Sequence, residues 1–154
     1  MAFNTEALGR RIGEIRRRRG LSQMALAEQI EKEFAKADEI ANVLIEVNMA
    51  QEESKFGITS QETEELIREI AKLPHVRIQG LMTIAPFTDN PETNRVYFKN
   101  MKKLSVDINN KNIDNVSMNV LSMGMTGDYQ VAVEEGATMV RVGTGIFGER
   151  NYNI

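Results

Sequence analysis

Hydrophobic residues recur along this chain in two alternating patterns, one typical of helices and one typical of buried strands. Four short apolar runs predict strands, and they cover residues 43–49, 77–85, 117–121 and 138–146. A segment with helical spacing precedes each run, and these helices are predicted to begin at Ser22, Ser60, Pro91 and Gly127. One further helix, between Asn4 and Arg19, leads the chain. The predicted order is a leading helix followed by four helix–strand units.

The helices should pack one face each against the strands, because their apolar residues lie three and four positions apart. The predicted inner faces consist of Leu26, Ile30 and Phe34; of Leu66, Ile67, Ile70 and Leu73; and of Val96, Phe98, Met101 and Leu104. Strands that alternate with helices pair in parallel through right-handed crossovers. The chain is therefore expected to be an α/β protein with a parallel sheet, whose ligands bind at the carboxyl ends of the strands.

Composition narrows the function classes. The 154 residues suit one domain with an ordinary core, and the 42% hydrophobic and 27% charged composition is that of a soluble protein without a membrane span. The chain has no cysteine and one histidine, which excludes disulfides, thiolate metal sites and multi-histidine metal centres. No secretory signal is expected, and the chain is predicted to be cytoplasmic.

Charge is distributed unevenly. The net charge is −3, yet residues 1–20 contain six arginines and two glutamates, giving a local charge of +4 against −7 for the remainder. This division predicts a basic helix over residues 1–20, followed by a single body over residues 21–154. The basic helix has two interpretations, a solvated surface or a contact with an anion.

Two glycine-containing turns near the C-terminus predict a site for a phosphate group. Ser122 precedes a turn that leads into the helix at Gly127, and Gly143 and Thr144 follow the last strand, ahead of Gly145 and Gly148. Glycine lets the backbone approach an anion closely, and N–H groups at helix starts point toward it. Two such turns on adjacent strands resemble the phosphate cup of many (β/α)₈ barrels.

Three motifs give a resemblance to a known family. These are LIEVNMAQEESKFGI (residues 44–58), IQGLMTIAP (78–86) and LSMGMTGDYQVAVEEGATMVRVGTGIFGER (121–150). In order and separation they resemble the pyridoxal-phosphate homeostasis proteins, which are similar to the N-terminal barrel of alanine racemase. The resemblance covers residues 25–152. It implies a (β/α)₈ barrel that binds pyridoxal 5′-phosphate (PLP) through a lysine Schiff base without robust catalytic turnover.

The resemblance also implies which residues contact the cofactor. The phosphate contacts would be Ser122 with the backbone of Met123 and Gly124, together with Arg141, Gly143 and Thr144, and Met82 would lie near the pyridine ring. The residues themselves leave a second possibility open for Arg141, a structural pairing with a carboxylate inside the barrel. No catalytic or metal-ligating residue is predicted.

The chain departs from the family in one respect. The family's PLP lysine lies on an early strand, and no counterpart of that strand is found between Arg19 and the helix at Ser22. About four strands remain where a barrel needs eight, so the expected fold is a truncated (β/α)₈ barrel. Lys55, in the loop after the first strand, is a candidate substitute amine, although a surface lysine is the commoner explanation. Glu52 and Glu53 are interpreted as a solvated acidic pair.

The basic head admits two accounts. Residues 4–20 resemble the family's own first helix, whereas residues 8–30 resemble the start of a repressor-type helix-turn-helix domain. The recognition helix of that domain has no counterpart after Ile30, so sequence-specific DNA binding is not expected. Nonspecific contacts with nucleic-acid phosphates stay possible for the arginines.

Three functions follow from these patterns. The first is a non-catalytic vitamin B6 homeostasis protein with weak, noncovalent binding of PLP or another phosphate compound. The second is a DNA-binding or regulatory fusion, and the third is an inactive recombined fragment. A racemase activity ranks lowest, because the lysine is not found. Exposed strand edges predict a homodimer, and His75 is predicted to be structural.

Overall fold

A computed structural model describes residues 22–51 and 56–148 of the chain. The basic helix predicted over residues 1–20, together with Glu52, Glu53 and Lys55, lies outside the described residues. Helices and strands alternate through the described part, with a short 3₁₀ turn at Pro91–Asn94 before α3. The elements are α1 (Gln23–Ala37), β1 (Ala41–Glu46), α2 (Thr63–Ile70), β2 (Val76–Met82), α3 (Arg95–Asn109), β3 (Val116–Met125), α4 (Tyr129–Glu134), β4 (Met139–Arg141) and α5 (Thr144–Phe147).

The four strands form one parallel sheet in the order β1-β2-β3-β4, so the predicted α/β half-barrel with four parallel strands is confirmed. The register places Glu46 beside Met82, Met82 beside Ser122, and Ser122 beside Met139. These four residues therefore lie at one level across the sheet. In the sheet of the described residues, β1 and β4 are the edge strands.

The helices cover the convex face of the sheet, where the core lies. Ile67, Ile70, Phe98 and Met101 are buried in this core, as their helical spacing predicts. The prediction that Val96 belongs to the inner face of α3 is wrong, because 53% of its surface is exposed. The inner face continues instead to Ser105 and Ile108, and the remaining core residues are Ala27, Ile45, Val47, Val76, Ile78, Leu81, Leu121, Met123, Val131 and Ala132.

All four strands differ from their predicted bounds, and the first two end at Glu46 and Met82, three residues earlier than predicted. The third strand continues past Leu121 to Met125, so Ser122 lies within β3 rather than at its end. The fourth strand ends at Arg141, and a helical turn begins at Thr144 where the apolar run predicted strand to Ile146. Hydrogen bonds from the Ile146 and Phe147 N–H groups to the Gly143 carbonyl form this turn.

α1 begins at the predicted cap, and its first residue forms hydrogen bonds with the backbone of the edge strand β1. The Ser22 hydroxyl accepts a hydrogen bond from the Ala25 N–H at 3.1 Å, which satisfies one of the free donors of the first turn. The next residue, Gln23, donates its side-chain amide to the Glu46 carbonyl at 3.1 Å and accepts from the Glu46 N–H at 3.3 Å. The Gln23 amide thus pairs with the end of β1 as a neighbouring strand would.

The concave face of the sheet carries polar side chains at its amino-terminal end. Gln79 donates to the Asn42 side-chain oxygen at 3.0 Å, and the Ser117 hydroxyl donates to the Gln79 side-chain oxygen at 3.1 Å. These three residues form a polar ladder across β1, β2 and β3. On β1 the concave face also includes Leu44 and Glu46, because the intervening Ile45 and Val47 belong to the core.

Candidate functional site

Arg141 is the central charged residue at the carboxyl end of the sheet. Its guanidinium donates one hydrogen bond to the Ser122 hydroxyl at 2.6 Å and another to the Thr83 carbonyl at 2.8 Å. Burial lowers the pKa of Arg141 from its usual value, and the carboxylates of Glu46 and Asp128 oppose that effect. An arginine stays protonated under these conditions, so the concave face holds a fixed, partly desolvated positive charge.

The backbone around Thr83 explains why its carbonyl faces Arg141. The Thr83 hydroxyl is buried and donates to the Val47 carbonyl at 2.7 Å, while the Thr83 N–H donates to the Ser122 carbonyl at 3.0 Å. These bonds hold the residue after β2 between its neighbouring strands. The fixed carbonyl in turn orients the guanidinium, so the position of Arg141 is determined by three strands rather than by its own rotamer alone.

Thr126 joins the two glycine-containing turns. Its hydroxyl oxygen accepts a hydrogen bond from the Gly145 N–H at 3.2 Å and lies 3.1 Å from the Thr144 hydroxyl. A Cβ atom on Gly145 would lie 2.9 Å from the Thr126 methyl group, which is closer than real Cβ contacts allow. Gly145 therefore permits the close approach of α5 to the turn after β3.

A buried side-chain amide, that of Asn94, forms a hydrogen bond with the turn after β3. Asn94 is 1% exposed, and its side chain donates to the Pro86 carbonyl at 2.9 Å and to the Asp128 carboxylate at 2.8 Å. The same carboxylate accepts from the Met125 N–H at 2.7 Å. Asn94 thus connects the loops that follow β2 and β3 and keeps both at the carboxyl end of the sheet.

The structure brings some predicted site residues together and separates others. Ser122 and Arg141 are in direct contact, and Met82 lies at the level of Ser122 on the adjacent strand. Gly143 and Thr144 lie at the start of α5 beside Thr126.

Met123 and Gly124 face the core rather than the concave side. The Met123 side chain is fully buried, and a Cβ atom on Gly124 would lie 2.6 Å from the Ala132 Cβ atom. Glycine at position 124, where φ is +91°, therefore permits close packing on α4. Met123 has no exposed surface, so the predicted contact of its backbone with a phosphate stays a prediction.

Thr83, Asn94 and Thr126 are not among the predicted cofactor contacts. Thr83 and Thr126 lie at the carboxyl ends of strands, where ligands are expected, whereas the signal of Asn94 is an asparagine in the first helical turn after Pro91. The contacts of Thr83 and Thr126 join residues that are distant in sequence, and no local pattern indicates them.

Two surface depressions of about 380 Å³ lie elsewhere. One lies near the amino-terminal end of the sheet and is lined by Arg77, Asn115, Val116 and Ser117. The other lies between α2 and α3 and includes Glu64 and Lys111. Neither contains a predicted cofactor residue. The predicted cofactor residues do not line an enclosed cavity, because a half-barrel leaves its concave side open. Arg141 and its neighbours therefore form a wall.

The distribution of lysines bears on covalent cofactor chemistry. Within residues 22–51 and 56–148, every lysine lies on α1, on α3 or in the turns that follow α2 and α3. The described residues therefore place no lysine beside Arg141. Among these same residues, there is no group of three histidine, cysteine, aspartate or glutamate side chains that could hold a metal ion, and no helix long and apolar enough to cross a membrane.

His75 has the structural role predicted for it. The ring Nδ1 atom of His75 lies 2.7 Å from the Glu31 carboxylate, and the backbone N–H of His75 donates to the same carboxylate at 2.7 Å. These bonds connect α1 to the start of β2, at the opposite end of the sheet from Arg141.

Comparison with known proteins identifies relatives of this chain. A protein of Aquifex aeolicus named pyridoxal phosphate homeostasis protein is 44% identical over 132 residues, which cover 86% of this chain and 57% of that protein. The protein of the same name from Haemophilus influenzae is 38% identical over 133 residues, which cover 86% of this chain and 56% of that protein. The chain spans somewhat more than half the length of these relatives.

A solved structure gives the same fold. PipY of Synechococcus elongatus, determined with PLP bound, is 27% identical with a TM-score of 0.70, and the match covers 80% of this chain and 57% of PipY. The family model of the alanine racemase N-terminal domain matches residues 13–151, including part of the arginine-rich head. The chain therefore belongs to the family of the alanine racemase N-terminal domain.

Proposed function

We propose that this chain binds pyridoxal 5′-phosphate noncovalently, through its phosphate group, at the carboxyl ends of β3 and β4. The observation that carries the proposal is the Arg141 guanidinium, held at 2.6 Å from the Ser122 hydroxyl on the open concave face. A partly desolvated cation attracts an anion more strongly than a solvated one does. The similarity to PipY, whose structure contains PLP, identifies which phosphate compound to test.

The donor set fits a phosphate ester. Arg141 contributes charge and is held by the Ser122 hydroxyl, which is 1% exposed, and Thr144 contributes an exposed hydroxyl group. The backbone around Gly143 follows a strand end of the kind that binds phosphate in (β/α)₈ barrels. Met82, at the level of Ser122, provides an apolar surface for the pyridine ring. When bound, PLP supplies an aldehyde that condenses with amines.

We further propose that the chain is a non-catalytic, vitamin B6 homeostasis-type protein. The names of its relatives support this role, and the described residues offer no lysine at the site. The bound cofactor would then keep its free aldehyde. A chain without cysteine suits a reducing compartment, so we place this binding in the cytoplasm.

The first test is a titration with PLP, followed by absorbance and by calorimetry. Replacing Arg141 with methionine should weaken binding about ten- to a hundredfold, because charge-assisted hydrogen bonds to the phosphate are lost. Arg77→Met is the matched control. Arg77 lies on the same sheet at its amino-terminal end, so this variant should bind PLP as the original chain does. Equal affinity of the two variants would contradict the proposed site.

A second test separates noncovalent from covalent binding. Borohydride reduction of the complex, followed by mass spectrometry, should leave the chain without an adduct at a single lysine. Reduction that labels Lys55 alone would show that this residue acts as a substitute amine and would refute noncovalent binding. A folded chain without measurable PLP binding would instead favour the inactive fragment.

The DNA-binding alternative is not favoured. The helix-turn-helix interpretation depends on residues before Ser22, which lie outside the described part of the chain. The match to the family model already includes residues 13–20 of that head. This overlap supports the account in which the head is the family's own first helix.

A further inference from the structure

The described sheet has the strand number of half a barrel, and its two edge strands are β1 and β4. A parallel sheet of four strands has half the number that closes a (β/α)₈ barrel, and its edges present backbone N–H and C=O groups to other strands. We propose that two copies of this chain form one eight-stranded parallel barrel, in which β4 of each copy pairs with β1 of the other.

The symmetry of this assembly is consistent with the chain direction. A two-fold axis along the barrel axis keeps all strands pointing the same way, so both new strand pairs are parallel, as the pairs within each copy are. The rotation generates two identical contacts and then closes. No edge strand is left exposed in the product.

The register within one copy predicts which residues meet. Glu46, Met82, Ser122 and Met139 lie at one level. A (β/α)₈ barrel accumulates a stagger of about eight residues around its circumference, hence about four for each copy. Met139 would therefore lie opposite Asn42 of the second copy, because a shift in the other direction leads beyond the end of β1.

Met139 and Asn42 lie on the same face of the sheet, as this pairing requires. Met139 is two residues before Arg141 and shares its concave face, and Asn42 lies on the concave face through its bond to Gln79. Residues that lie opposite one another must point to the same side of a sheet. A register shifted by one residue would not meet this condition.

The exposed side chains around β4 and the hydrogen bonds of β1 are also compatible with this pairing. Around β4 the apolar side chains are exposed, with Met139 at 47%, Ile146 at 68% and Phe147 at 81%. On β1, the Gln23 amide occupies the backbone of Glu46 only. The three residues of β4 would reach Asn42, Val43 and Leu44 of the second copy, so the Gln23 contact and the new pairing do not compete.

The second copy would also add a carboxylate near the candidate site. In this register Arg141 lies opposite Leu44 of the second copy, and the Glu46 carboxylate of that copy follows two residues later on the same face. The positive wall of one half-barrel would thus meet a carboxylate from the other. The assembly does not depend on PLP, so its failure would leave the proposed cofactor binding intact.

The test is cross-linking of engineered cysteines, which is unambiguous because the natural chain has none. The double variant Asn42→Cys and Met139→Cys should form a covalent dimer under oxidising conditions, since directly opposed residues in neighbouring strands lie within disulfide distance. Within one copy the two positions are separated by two intervening strands and cannot react. The control is Asn42→Cys with Val106→Cys, a position exposed on α3, and it should stay uncross-linked.

Light scattering of the unmodified chain at micromolar concentration provides the independent measurement. A mass of twice 17.4 kDa together with cross-linking at positions 42 and 139 supports the closed barrel. A monomeric mass overturns it. A dimeric mass in which only the control pair cross-links also overturns it, because the contact would then involve the helices.

Discussion

Gly80 is the position where the sheet should be least tolerant of a side chain. A Cβ atom built there would lie 1.7 Å from the Val120 carbonyl oxygen and 2.7 Å from its carbon. Real Cβ contacts are at least 3.0 Å, so β2 and β3 would have to separate by about 1.3 Å in the Gly80→Ala variant. The φ angle of +156° is also one that residues with side chains rarely adopt.

The cost follows from the hydrogen bonds on either side of Gly80. The Ile78 N–H donates to the Asn115 carbonyl at 3.2 Å, and the Thr83 N–H donates to the Ser122 carbonyl at 3.0 Å. A separation of this size would break or greatly weaken both bonds. Together with the steric strain, the loss amounts to about 3 kcal/mol or more of the free energy of unfolding.

Urea denaturation followed by circular dichroism measures this loss. The Gly80→Ala variant should unfold at a midpoint roughly 1–3 M lower than the original chain. Gly127→Ala is the matched control, because a Cβ atom there meets nothing within 4 Å, and its free energy of unfolding should change by less than about 0.5 kcal/mol. A loss below about 1 kcal/mol in Gly80→Ala would refute the close approach of β2 to β3.

Two other substitutions test polar contacts. Asn94→Asp should destabilise the fold by about 3 kcal/mol at neutral pH, because a buried carboxylate would replace the amide that donates to Pro86 and Asp128. Urea denaturation measures this loss, and a smaller loss at neutral than at acid pH would be contrary to this reasoning. Arg95 holds the pKa of Glu92 below its usual 4.5 through a hydrogen bond, so this pair contributes stability above pH 4.5 that is lost as pH falls through the lowered pKa. The difference in melting temperature between the original chain and Arg95→Gln should therefore shrink below about pH 4.5, and a constant difference would contradict this assignment.

The sequence is sufficient to predict the order of elements and most of the core. Residues such as Ile67 and Phe98 follow helical spacing on strongly amphipathic segments, and the structure buries them. Val96 is exposed because it lies two positions before Phe98, about 200° around the helix, and the face that carries Phe98 and Ile108 packs on the sheet. A small buried polar residue such as Ser105 does not differ from a surface serine in a hydrophobic pattern.

The candidate site was only partly accessible to sequence reasoning. The resemblance predicts that Ser122 and Arg141 both contact the phosphate, and the structure places these two residues in contact with each other. The strand predicted to reach Ile146 ends at Arg141, because Thr126 binds the Gly145 N–H from another turn and stabilises a helical conformation there. Such contacts depend on which loops become neighbours in space. The apolar run alone contains no information about them.

The polar ladder of Asn42, Gln79 and Ser117 divides the concave face into two halves of different chemical availability. In the amino-terminal half, the side chains already satisfy one another, so an incoming solute would have to displace existing bonds before gaining new ones. In the carboxyl-terminal half, the charged Arg141 guanidinium donates hydrogen bonds to a neutral hydroxyl and a neutral carbonyl. The same sheet is thus chemically saturated at one end and receptive to anions at the other, and this polarity directs a ligand to one end of the strands before any barrel closes around it.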